Sequence, residues 1–486
     1  MNDVKSKQAE PQRRSFFKRS GAIAGGVVTG ATLSALTAQT ALANDERRHA
    51  RGRDGRRSDY GDLSPKADRD GNVVLALPAD FEYRTFSKTG ESFGAGSIVP
   101  RNHDGMACFE GRGHSLRLIR NHEVRNAAGD FNLGVNGPVE LRYDAKGMGG
   151  CMTLDFDTRQ KRLVRQFVSI GGTIVNCSGG FSWRDKGWIT CEETTQGVNN
   201  GYEQPHGYNF FVPASADSTV PAVPFKAMGR FAHEASVADE RGIVYQTEDS
   251  GNNSGFYRYT PYRPDELRSG KLQMLALKGN PGANLFPSQP VGQRLPAQWV
   301  DINDPDPKLE LSAPSCFQQG RALGGAAFNR LEGIFRGEDG HSVYFLSTSG
   351  GGGFGQFWHY LPADGKVQME DQLVLVFQSP NGGILEAPDN LCLTPNGGAL
   401  FCEDDAVNDN DTHPLAPGIT NVNRLVGLGA KGEAFTFAVN VLNDSEFAGA
   451  CFSPDGEILF VNVFGDATPG SGMTCAIWGP WERGPL

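Results

Sequence analysis

Six segments of this chain repeat one pattern: an apolar strand, a turn of Gly, Asp or Asn, and a second apolar strand, with ionisable residues gathered at the two far ends. They are Asn102–Glu123, Cys177–Glu193, Glu234–Asp249, Glu332–Thr348, Asp389–Asp405 and Glu446–Phe464. Their turns carry Gly113, Gly187, Gly242, Gly340, Gly397 and Gly456. Such turns between apolar runs predict hairpins, because Gly, Asn and Asp tolerate the positive φ of a tight reversal. Folding each segment about its turn brings its polar ends together. Glu234 is then expected opposite Glu248, Asp389 opposite Asp405, Cys177 opposite Thr194 and His103 opposite Asn121. The sixth segment offers Asp444 and Glu446 just before its first strand.

Helical periodicity is weak throughout, and short Val-, Ile-, Phe-, Tyr- and Leu-rich runs recur between Gly, Pro, Asn and Asp clusters. That pattern predicts an all-β fold. Recurrence selects among the all-β architectures: six similar hairpins predict a six-bladed β-propeller with loop insertions, the largest at Pro264–Leu323. Inner strands of a propeller point the same way along the axis, so their polar ends collect at one mouth.

The acids that would meet there include Glu192, Glu193, Glu234, Glu248, Asp249, Glu332, Glu386, Asp389, Glu403, Asp404 and Asp405, with Glu123 at the end of the first segment. Gathered carboxylates repel one another, and multivalent cations relieve the repulsion. Oxygen donors suit Ca²⁺, and Fe³⁺ or Mn²⁺ also fits. Cys177, in Asn176-Cys177-Ser178-Gly179-Gly180, adds a thiolate that favours a transition metal beside calcium. Arg330 stands two residues before Glu332, on the same face if both lie on a strand. Its guanidinium suits a bidentate grip on phosphate or carboxylate. Each residue also has a plain structural reading: solvated loop acids, a buried cysteine, a counter-ion.

The N-terminus reads as a targeting segment. Arg13-Arg14-Ser15-Phe16-Phe17-Lys18 precedes an uncharged stretch ending in Ala41-Leu42-Ala43, so residues 1–43 are expected to be a twin-arginine signal peptide recognised by the twin-arginine translocase. The mature protein is then periplasmic or secreted. Residues 44–66, with arginines at 47, 48, 51, 53, 56 and 57, are expected to form a disordered basic linker, and residues 67–486 a single domain. Cleavage removes six Lys/Arg and two Asp/Glu from totals of 46 and 56, leaving 40 against 54, a net charge near −14. Such a chain is a poor nucleic-acid binder. No membrane span is expected in the mature protein, and a monomer is expected. Of the nine cysteines, Cys392 and Cys402 are expected opposite each other as two small buried side chains rather than a disulfide. The Gly350–Gly353 run is not followed by Lys-Ser/Thr, so it is no phosphate-binding P-loop. The histidines are scattered, which does not indicate a zinc site.

Several segments, in order, resemble the PhoX-type alkaline phosphatases. They are Asn121-His122-Glu123, Asn176-Cys177-Ser178-Gly179-Gly180, Thr190-Cys191-Glu192-Glu193-Thr194, His233-Glu234-Ala235, Thr247-Glu248-Asp249-Ser250-Gly251, Arg330-Leu331-Glu332-Gly333, Pro388-Asp389-Asn390-Leu391 and Cys451-Phe452-Ser453-Pro454-Asp455-Gly456. The resemblance implies an exported phosphatase acting on phosphate monoesters, with diesters as further candidates, at an iron–calcium site in the propeller mouth. By motif, Cys177 would ligate iron (Fe³⁺). Glu123, Glu193, Glu234, Asp249, Glu332, Asp389 and Asp404 would be metal ligands, and Arg330 the phosphate contact. The chain departs from the family at Leu331, where the motif carries proline, and in its shorter length. Two rival readings of the residues are a calcium-dependent lactonase-type propeller and a non-enzymatic propeller with structural calcium.

Overall fold

A computed structural model describes residues 60–94, 96–366, 368–404 and 411–486. The expected signal peptide, the linker up to residue 59, and Asp405 lie outside the described residues. The last residues assigned to the linker belong to the folded body instead. Tyr60 is buried, its hydroxyl donates to the Trp481 carbonyl, and its ring packs edge-on against Phe81 and Phe437. Strand Leu63–Ala67 pairs with Val73–Pro78.

Strands dominate, and every ladder between them is antiparallel. The hairpins expected from sequence all form. Their first strands are His103–Glu110, Asn176–Phe181, His233–Ala238, Leu331–Arg336, Pro388–Leu393 and Phe447–Phe452. Each contacts the next, and the last contacts the first, so the six close a ring. This is the plan of a β-propeller. Outward from each first strand the sheet continues through strands consecutive in the chain, except at three outer edges, where Val73–Pro78 joins Ala434–Asn440, Glu82–Phe86 joins Met473–Trp478 and Arg294–Asp301 joins Gln372–Gln378.

Apolar residues fill the spaces between neighbouring sheets. Ile119 and Cys151 of one sheet meet Trp188 and Phe210 of the next. Tyr245 and Phe256 meet Phe345 and Trp358, and Leu400 and Phe437 meet Phe447 and Ile477. The strands read as near-continuous buried runs because both faces of each sheet are covered. The ring closes through the N-terminus: Glu82–Phe86 pairs with Met473–Trp478 as the outermost strand of the last sheet.

Two expectations are corrected. A third of Pro264–Leu323 is sheet rather than insertion: Glu266–Leu277 is the fourth strand of its own sheet, and Arg294–Asp301 pairs with both Glu266–Leu277 and Gln372–Gln378. The Pro- and Asn-rich composition belongs to the connections around those strands. Cys392 faces Leu400, and Cys402 faces Leu425, so the two are not cross-strand partners. All nine cysteines are free and buried. Five turn glycines take positive φ, as expected; at the Gly187 turn the left-handed positions fall on Arg184 (φ 59°) and Asp185 (φ 52°).

Candidate active site

Each first strand carries one extra residue near its start. His103 to Met106 runs beside His122 to Arg120, and Asn176 to Gly179 beside Glu192 to Thr190. The same irregularity recurs at His233/Ser236, Leu331/Ile334, Pro388/Leu391 and Ala448/Cys451. A bulge leaves a residue out of the ladder and re-aims its side chain. In five strands that residue is Asp104, Cys177, Glu234, Glu332 or Asp389. In the sixth the bulge begins one residue later, at Ala448, and the carboxylate comes from Glu446 just before the strand.

Above the bulges, one backbone bond recurs in all six hairpins. The amides of Glu123, Glu193, Asp249, Thr348, Asp404 and Phe464 donate to the carbonyls of Asn102, Val175, Ala232, Arg330, Ala387 and Glu446. This bond lines up a second row of side chains at the same end. It also corrects the expected registers: His103 faces His122, Glu248 faces His233, and Glu403 faces Pro388. Cys177 and Glu234 face no residue directly, because they lie in the bulges. Asn102, Val175, Arg330 and Ala387, each just before a first strand, hold φ values of 55°, 48°, 43° and 40°. Non-glycine residues take this left-handed region at an energetic cost, and such strain concentrates at functional sites.

The two rows converge. Donor atoms lie within 4.8 Å of one another in four triads: Asp104–Glu123–Cys177, Cys177–Glu193–Glu234, Glu234–Glu332–Asp389 and Asp389–Asp404–Glu446. Cys177, Glu234 and Asp389 are shared, so the triads form one continuous chain of donors around the mouth. Burial, then repulsion among the carboxylates, pushes Asp104, Glu193, Glu234, Glu332 and Glu446 well above the usual carboxylate range. Asp389 is pushed up to about 7 by burial and by Asp404. The Cys177 thiol is raised by burial and by Asp104 and Glu234. Glu234 Oε1 is buried and accepts no hydrogen bond, and Glu332 Oε1 accepts none of good geometry. Buried oxygens without donors need a partner of another kind, and cations fit.

Of the residues singled out in the sequence, Cys177, Glu123, Glu193, Glu234, Glu332, Asp389 and Asp404 all join this cluster. Asp249 stands beside it, accepting from Arg330 Nε at 3.1 Å. Arg330 Nη2 lies 3.1 Å from Glu332 Oε1, so the guanidinium spans two acids of the mouth. It reaches Glu332 from a left-handed residue ahead of the strand, not along a shared strand face. In the doubled acids only the second member faces the mouth. Glu192 is held by His206 (2.7 Å), Glu248 by the Tyr257 hydroxyl (2.6 Å) and Glu403 by Arg424 (2.6 Å). Asp444 is absent from the triads, accepting instead from the Thr420 amide. Among the described residues no histidine joins a candidate metal group.

Asp104 and Arg125 were not singled out in the sequence, whereas Glu446 was, as an acid just before the sixth first strand. Asp104 carries the same signal as its counterparts, an acid followed by a small residue at the second position of the strand. Glu446 is shifted by two positions and breaks that pattern. Arg125, whose Nη2 pairs with both Glu123 and Glu193, lies beyond the hairpin and has no counterpart in the other repeats. Asn121 supports the cluster from below. Its Nδ2 donates to the Cys177 carbonyl at 3.0 Å and the Ser178 carbonyl at 2.6 Å, satisfying two groups that the bulge takes out of the ladder.

Residues 58–470 match the sequence family described as alkaline phosphatase PhoX. The chain belongs to the PhoX alkaline phosphatase family. Its fold matches the structure of Pseudomonas fluorescens PhoX in complex with vanadate, described as a transition state analogue, with a TM-score of 0.61, 16% identity, and coverage of 90% of this chain and 99% of that one. Weaker likeness extends to a gluconolactonase from Xanthomonas campestris (TM-score 0.39, 10% identity, 89% of this chain and 99% of that one). A periplasmic gluconolactonase from Pseudomonas aeruginosa gives a TM-score of 0.34 at 14% identity, covering 79% of this chain and 96% of that one. No curated protein matches the sequence. As a PhoX-family member the chain is a phosphatase of a metal-dependent family, which sets aside the lactonase-type and binding-only readings. Among the described residues no helix is long and apolar enough to cross a membrane.

Proposed function

We propose that this chain is an exported, metal-dependent phosphatase hydrolysing phosphate monoesters, with iron and calcium held at the mouth of a six-bladed propeller. The observation that carries this reading is the unbroken chain of four triads, joined through Cys177, Glu234 and Asp389, with Arg330 beside it. A single thiol among many carboxylates suits a mixed set: iron at the sulfur, calcium among the oxygens. Cys177 with Asp104, Glu123, Glu193 and Glu234 would hold the iron end. Glu332, Asp389, Asp404 and Glu446 would hold the calcium end, and Asp249 would complete the rim. Cations bound there supply Lewis-acid chemistry, polarising the phosphoryl oxygens.

The protein's own part is positioning and charge stabilisation. Asp249 and Glu332 occupy Nε and Nη2 of Arg330 and fix the guanidinium plane, leaving Nη1 for a phosphoryl oxygen. A donor so held stabilises the negative charge that grows on those oxygens in the transition state without reorganising. The buried acids around it leave little room for bulk water, which strengthens every charge interaction in the mouth.

Export by the twin-arginine route supports the same picture, since that route carries folded proteins and a cofactor can be inserted beforehand. The proposed layout is a signal peptide at residues 1–43 followed by a single monomeric domain in the periplasm or outside the cell. The test is turnover of p-nitrophenyl phosphate at alkaline pH. Arg330→Ala is expected to lower kcat by about 10²–10³, as loss of a charge-stabilising donor does. A full rate in that variant would remove Arg330 from the mechanism.

A further inference from the structure

Arg125 brings a second guanidinium to the mouth. It lies two residues beyond Glu123, on the loop that leaves strand Ser115–His122. Its Nη2 pairs with Glu123 Oε1 and Glu193 Oε2, acids from two successive hairpins and from the two triads that share Cys177. Only Nη2 is engaged; Nε and Nη1 meet no partner among the described residues. The side chain is 57% exposed, so it is reachable from solvent.

Arg330 has a parallel arrangement. It spans Asp249 and Glu332, is 31% exposed, and also keeps one nitrogen free. The two arginines flank one run of donors: Arg125 is bonded to Glu193, Glu193 and Glu332 each bring a donor atom within 4.8 Å of one on Glu234, and Glu332 is paired with Arg330.

We propose that Arg125 is a specificity-determining residue that contacts the phosphate group and favours the dianion of a monoester over the monoanion of a diester. The proposal rests on the phosphatase reading above. A monoester presents three unsubstituted oxygens and two charges, enough for both guanidiniums. In a diester one of those oxygens carries a second organic group, which removes one charge and one contact. The second arginine therefore rewards the monoester selectively. One charge-assisted contact at a half-exposed site corresponds to about tenfold in affinity.

The rival role is a counter-ion that only neutralises Glu123 and Glu193. The two roles separate in Arg125→Ala and Arg125→Lys, assayed beside the wild type with p-nitrophenyl phosphate and bis-p-nitrophenyl phosphate. Inhibition by orthophosphate and the metal content of each protein complete the set. Arg125→Ala is expected to lower the monoester-to-diester ratio of kcat/KM about tenfold. It should raise the orthophosphate Ki by a similar factor at unchanged metal content, with Arg125→Lys intermediate. An equal loss on both substrates, a loss of metal, or an unchanged Ki overturns the proposal. If the wild type hydrolyses neither ester or prefers the diester, the monoester reading fails, and this inference with it. If the wild type prefers the monoester and Arg125→Ala keeps that preference, only the inference fails.

Discussion

Glu192 and Glu193 are neighbours in the chain and opposites in role. Glu193 faces the mouth, while Glu192 is buried behind it, accepting from the Ile174, Gly207 and Tyr208 amides and from His206. Burial alone lowers the His206 pKa, but Glu192 and Asp144 outweigh it and hold His206 up at about 9. A histidine whose folded value is raised contributes stability that is fully present below its unfolded value of 6.5 and is lost as the pH rises through about 9. Thermal melts between those limits should therefore show Tm falling with pH more steeply in the wild type than in His206→Gln. Parallel curves would mean that His206 titrates alike in both states. The alternation that separates Glu192 from Glu193 follows from strand geometry, but the sequence does not say which of the two faces the channel. What could be read residue by residue was chemistry: the lone thiol, the acids and the arginine at 330. What could not was Arg125, which owes its place to a loop rather than to the repeat.

The bulge is the element that turns a hairpin into half a metal site. Counting outward from the turn gives the register of the Glu234–Asp249 hairpin up to its bulge, where one extra residue slips it and sets His233 opposite Glu248. In the Asp389–Asp405 hairpin the count is two residues off beside the turn itself, where Cys392 faces Leu400 rather than Cys402, and the bulge then sets Pro388 opposite Glu403. The bulged segments are small because the first strands are crowded around the channel. A Cβ added at Gly180 would stand 1.7 Å from the Ser236 carbonyl oxygen of the next first strand, and one at Gly105 would stand 2.5 Å from Ser178 Cα. Backbone cannot yield as a flexible side chain does. Gly180→Ala is expected to destabilise the fold by about 3 kcal/mol or more, read from urea unfolding, as an overpacking change that spreads two first strands. Stability near that of the wild type would show that the ring is looser than its geometry implies.

Closure of the ring is a property of the whole chain. Strand Glu82–Phe86, from early in the chain, completes the sheet built from residues 447–478, so the last sheet joins distant parts of the sequence. Six repeats were enough to read the propeller from sequence. The strand Arg294–Asp301, which ties two sheets together, was not legible because it has no counterpart in the other repeats. Only the closed ring brings Asp104 and Glu446, some three hundred residues apart, into one chain of donors. Without cations that chain is a liability. Asp104, Glu123, Glu193, Glu234, Glu332, Asp389 and Glu446 bind protons more tightly folded than unfolded, so the stability of the stripped protein should fall as pH rises from the ordinary carboxylate range through about 7, where Asp389 titrates. The central claim is that these converged side chains hold iron and calcium for phosphoester hydrolysis. The direct measurement is elemental analysis of protein isolated without chelators, paired with p-nitrophenyl phosphate turnover before and after metal removal. Iron and calcium together, turnover lost on chelation, and no bound iron in Cys177→Ser are the expected results. A metal-free protein that turns over at the full rate would contradict the claim.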